Sequence, residues 1–99
     1  MPDQLEKLAP FAVRSGIVIT GRPQLIRSQK HLAFVLMTTD LSANSKAELL
    51  PKLTACPIIH ALASEDLHRL FRLRGTKVVG FKKSSLATKL LSLLRETAG

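Results

Sequence analysis

A lone glycine, Gly21, is followed by four long polar side chains, Arg22, Gln24, Arg27 and Lys30. Gln24 and Arg27 stand one helical turn apart, so a helix starting at the glycine displays the set on one exposed face. Guanidinium and ammonium groups make charge-assisted hydrogen bonds to phosphate. A glutamine amide offers paired donor and acceptor atoms to a base edge. A second cluster repeats the theme: Arg72, Arg74 and Lys77 flank another glycine turn at Gly75. If both turns sit at one end of a sheet, they form a two-jawed basic site for a polyanion.

Charge supports that chemistry. Fifteen Lys and Arg against seven Asp and Glu leave a net charge of +8. The excess is segregated: residues 7–39 and residues 67–95 contain no acid. Such a field attracts nucleic acid through counterion release. The chain has four Phe and neither Tyr nor Trp, so recognition by serial base stacking is disfavoured. Backbone contacts and the shape of the nucleic acid should carry recognition instead.

Other chemistries find little footing. Cys56 precedes Pro57 at a strand start and reads as a small buried hydrophobe. Being single, it forms no internal disulfide, which fits a reducing cytoplasm. His31, His60 and His68 lack metal-ligand spacing and partner cysteines. Glu65 and Asp66 suit the start of a helix, where they compensate its dipole. There is no Walker loop, dinucleotide glycine fingerprint or HExxH motif. The expectation is therefore a protein with no catalytic residues, no metal and no cofactor. No apolar run approaches the ~20 residues of a membrane helix. Residues 1–6 carry acids without an apolar stretch, so neither a signal peptide nor a membrane partner is expected.

Five helices and four strands must position these residues. Apolar periodicity predicts a helix over 4–15, with Leu5, Leu8, Ala9, Ala12 and Val13 inward and Pro10 as an irregularity. A short β-branched strand follows at 17–20. Pro23 suits the first turn of a helix reaching about 29, with Leu25 and Ile26 inward. Residues 31–39 are apolar enough for a central strand. The next helix, 45–55, is capped by Ser42 or Asn44 and kinked or split by Pro51, and Ala47, Leu49, Leu50 and Leu53 face the core. A strand at 56–61, a helix at 65–73, a strand at 77–81 and a leucine-rich helix capped by Ser84 or Ser85 complete the chain. This alternation implies one α/β domain over 1–99 with a mainly parallel or mixed sheet covered on both faces.

The sequence resembles the kink-turn-binding ribosomal proteins of the L-seven-Ae and L-thirty-e group, and among them the small bacterial YlxQ-type relatives. The resemblance spans about residues 5–94. It rests on Gly21, Gln24 and Arg27, on the run Asp40, Ser42, Asn44 and Ser45, with Lys46 one place earlier than in the family, and on the pairs Leu50-Pro51 and Cys56-Pro57. Pro23 stands where the family usually has Asn or Lys, and His68 where it has Gly. The resemblance implies a three-layer α/β/α sandwich with a four-stranded mixed sheet. It further implies a non-enzymatic, cytoplasmic RNA-binding protein on ribosomal or other structured RNA, with ribosomal or assembly-factor proteins as further contacts. Gly21, Arg22, Gln24, Arg27 and Lys30 would enter the groove at the kink, and Leu73, Arg74 and Gly75 would pack on a flipped-out base. The alternative is a protein-interaction or RNA-recognition module of a larger RNA-modifying or ribosome-assembly complex.

Overall fold

A computed structural model describes residues 3–98, so residues 1, 2 and 99 of the expected domain lie outside the described residues. The helices are α1 (Asp3–Ser15), α2 (Arg22–Ser28), α3 (Ala43–Leu49), α4 (Ser64–Phe71) and α5 (Ser85–Ala98). The strands are β1 (Val18–Ile19), β2 (Leu32–Met37), β3 (Ile58–His60) and β4 (Val78–Lys82). They form one four-stranded mixed sheet in the order β1-β4-β2-β3. β4 runs antiparallel to both β1 and β2, while β2 and β3 are parallel. The apolar strand β2 takes a central place, as its composition requires.

Two cores sandwich the sheet. Alternate residues of β2 and β4 point to opposite faces, so Phe34, Leu36, Val79 and Phe81 join α1, α4 and α5 on one side. Leu32, Val35, Met37 and Val78 join Leu25 of α2 and Leu49 of α3 on the other. A register shift between Leu32 and Phe34 lets Ala33 and Phe34 fall on the same face. Phe34 stacks on Phe81 at 4.6 Å between ring centroids, and Phe71 meets Phe81 edge-on at 5.3 Å. Three of the four phenylalanines are thus core residues, and Phe11 is the exception at 53% exposed.

Pro51 ends α3 early. It has no N–H to continue the helix, and the chain tightens into a 3-10 turn at Leu50–Lys52. Ala47 and Leu50, expected inside, are exposed, and only Leu49 and Leu53 reach the core. Pro10, by contrast, is accommodated within α1. Val13 of the predicted inner stripe turns out to be 39% exposed. Ser42 caps α3 by accepting from the Ser45 N–H at 3.2 Å, and Ser84 caps α5 by accepting from the Ala87 N–H at 3.0 Å. At α4 the Asp66 carboxylate accepts from the Ala63 N–H at 2.9 Å.

Candidate nucleic-acid interface

The backbone of Gly21 has φ 90° and ψ 122°, a conformation that a side chain makes costly. Its carbonyl accepts the first bond of α2, from the Leu25 N–H at 2.9 Å. Pro23 occupies the first turn, where a missing N–H costs little. The helix lies close against the sheet because β4 carries glycine at position 80. A Cβ there would come within 2.6 Å of Leu25 Cδ2 and 2.9 Å of Leu32 Cδ1. Both leucines are buried, so neither has free space to yield.

Two polar ties fix the ends of α2. Arg22 Nη2 donates to Ser45 Oγ at 3.2 Å, and its Nη1 stands 3.8 Å from Glu48 Oε2. Gln29, just past the helix, donates to the carbonyls of Ile26 and Lys52 at 3.0 and 2.9 Å and accepts from the Ala55 N–H at 3.0 Å. Between these ties Gln24 and Arg27 are exposed, and Arg27 Nη2 donates to Gln24 Oε1 at 2.7 Å. The Gln24 amide donates to Ser28 Oγ at 3.3 Å. Lys30 is exposed but lies in the 3-10 turn Gln29–His31, beyond the helix on which it was expected.

The second turn faces the first. Gly21, Arg22, Ser42 and Ser45 line one side of a cleft of about 450 Å³, and Gly75, Thr76 and Lys77 line the other. Both glycine turns therefore sit at one end of the sheet. Leu73 is half-buried and packs against the α1, α4 and α5 core. Its N–H wraps back to the Leu67 carbonyl at 3.3 Å, closing α4 through a left-handed Arg72 with φ 59°. Arg74 is exposed and folded towards α4, with Nε donating to His68 Nε2 at 3.2 Å. The structure thus gathers Gly21, Arg22 and Gly75 around the cleft and sets Gln24 and Arg27 beside it. Leu73 and Arg74 lie on the α4 side of the second turn.

Lys77 lines the cleft, as its place beside the second turn predicts. Ser42 and Ser45 line it too, although the sequence marks Ser42 only as a helix cap and Ser45 only as part of the Asp40–Ser45 run. Asp40 makes a further tie: its carboxylate accepts from the Ser64 N–H at 3.0 Å and from the Ser64 hydroxyl at 2.6 Å. That hydroxyl is the main cause holding the Asp40 carboxyl at about 2, below its ordinary 3.8. Lys77 Nζ stands 3.9 Å from the same carboxylate. The ion pairs of Arg22 and Lys77 are long and exposed, so each contributes little to stability and leaves its cation able to change partner. Cys56 is half-buried, and burial pushes its thiol upward, against the thiolate that a nucleophile needs. Among the described residues no group of His, Cys, Asp and Glu could hold a metal ion. No helix among them is long and apolar enough to cross a membrane.

No protein-family profile and no curated protein matches the chain. Solved structures do. A protein of unknown function from Bacillus halodurans C superposes with a TM-score of 0.80 at 21% identity, covering 95% of this chain and 99% of the other. The Giardia lamblia 15.5kD RNA binding protein superposes with a TM-score of 0.66 at 13% identity, covering 99% of this chain and 90% of the other. These likenesses establish a shared α/β/α fold over nearly the whole chain.

Proposed function

We propose that the protein binds structured RNA of the kink-turn kind, catalyses no reaction, and makes contact through residues 21–30 and 73–75. The observation that carries this reading is the pair of glycine turns opposed across one cleft. Arg22 and Lys77 stand at its two lips, and the exposed Gln24–Arg27 pair adjoins it. The segregated charge of +8 supports the same partner. So does the fold shared with a Giardia RNA-binding protein. In this reading Arg27 and Lys30 hold phosphates, and the Gln24 amide exchanges its bonds to Arg27 and Ser28 for a base edge. The same reading puts the protein in the cytoplasm on ribosomal or another structured RNA. Co-sedimentation with ribosomal particles tests that part.

Titration against a labelled kink-turn RNA, an unkinked duplex of equal length and a single strand, at low and high salt, tests the main claim. Preference for the kink-turn that survives high salt is expected. Equal affinity for all three, falling steeply with salt, would leave only a nonspecific basic surface. Arg27→Glu should abolish binding with an unchanged melting curve. Removing the charge of Lys30 should flatten the salt slope by about 1.

A further inference from the structure

The end of α1 and the end of α4 carry a second groove, which shares no lining residue with the cleft. Pro10, Val13 and Arg14 of α1, Leu70 of α4 and Arg72 just past its end line about 360 Å³, at the small end of ligand-pocket volumes and enough for one bulky side chain. Leu70 is buried and forms the floor. Phe11 is outside the lining and 53% exposed, and it is linked to the groove through Arg14, whose guanidinium stands 4.9 Å from its ring centroid. Val13 is also substantially exposed. Apolar side chains left in water beside a groove are a recurrent mark of a protein-binding surface.

Charge decides the occupant. Arg14 and Arg72 form the rim, and neither has a carboxylate partner among the described residues. Two acids of these helices, Glu6 and Asp66, are taken up by Arg69 at 2.8 and 3.3 Å. A cation at a helix C-terminus is often explained by the helix dipole. That does not account for an arginine held at φ 59°, where glycine is the low-energy choice, nor for Phe11 and Val13 in solvent. RNA is the poorer fit, since the floor is aliphatic and one face of the single nearby aromatic ring is covered by Arg14. We infer that this groove docks an acidic peptide segment of a partner protein, seating one bulky apolar side chain over Leu70 with carboxylates on Arg14 and Arg72. The inference is independent of RNA binding at the cleft.

The test uses a short fluorescent peptide of Glu and Asp with one central Phe, titrated into the ¹⁵N-labelled protein. Saturable binding with amide shifts confined to residues 11–14 and 70–72 is expected. Replacing the peptide's Phe by Ala, or introducing Arg14→Glu, should each weaken it by about tenfold, the loss of one well-placed anchor. Arg72→Gly, which removes the guanidinium and keeps the left-handed turn, should do the same with the fold intact. Arg27→Glu should change nothing. Equal binding of oligoglutamate, or shifts spread over residues 22–30, would overturn the proposal. So would single-stranded RNA moving residues 11–14 and 70–72 more than the peptide does.

Discussion

The two lips of the cleft are held by different means. The first, from Gly21 through α2, takes its position from the rest of the molecule. Leu25 is pressed against Gly80 and Leu32, Arg22 is tied to Ser45, and Gln29 is tied to Lys52 and Ala55. The second, from Gly75 to Lys77, follows the wrap of Arg72 and Leu73 onto the end of α4, and at its far side the Lys77 carbonyl accepts from the Thr38 N–H at 2.9 Å. The difference separates a lip tied along its length from one held at its two ends. A change in the supports of α2 can displace the first lip, whereas the second answers to the end of α4 and the end of β2.

Gly80→Ala is the strongest way to break that contrast. The added methyl overpacks a closed site and should cost about 1–3 kcal/mol in urea unfolding. Amide shifts should follow α2 and spare residues 72–77; equal shifts in both lips would show that they move as one. Gln29→Ala comes next, at about 1–2 kcal/mol for bonds that are partly exposed. Faster hydrogen exchange along α2, with the second lip unchanged, is the expected reading. His68→Ala should stay within about 0.5 kcal/mol in stability, as exposed substitutions do. It should free Arg74, seen as averaging of its Nε–H resonance, while α2 stays still.

Acid sharpens the comparison differently, through the strap that joins the β2–α3 loop to α4. The folded protein holds the Asp40 proton more weakly than the unfolded chain, because its pKa is lowered to about 2. The contribution of this strap is therefore complete above the ordinary carboxylate value and drains as pH falls through about 2. The Ser64 amide resonance should titrate near that lower value. A midpoint near the ordinary value of 3.8 would mean that the hydrogen bonds do not hold.

Much of this architecture was legible in residue types. A β-branched run marked β1, an apolar run marked β2, and leucine-rich composition marked α5. Pro51 announced the break in α3, although the exposure of Leu50 required the 3-10 turn that follows it, and the exposure of Ala47 within α3 has no signal in residue type. The first lip was legible because Gly21, Gln24 and Arg27 are neighbours in sequence. The partnership of Arg22 with Ser45, 23 residues away, was not, because nothing in local spacing says which loops a sheet will gather at one end. Nothing in the sequence around Gly80 signals that α2 lies on it, because the contact is with Leu25, far away along the chain. Val13 was misleading for a related reason. An apolar residue on a helix joins the core only if a neighbouring helix covers it, and beside Val13 the two helices leave a groove instead.

The left-handed Arg72 has one more implication. An L-residue in that conformation costs about 1–2 kcal/mol that glycine avoids. Arg72→Gly should therefore raise the melting temperature even as it strips the groove of a cation. A chain tuned for thermal endurance alone would carry glycine there, so position 72 is a place where robustness and docking pull in opposite directions.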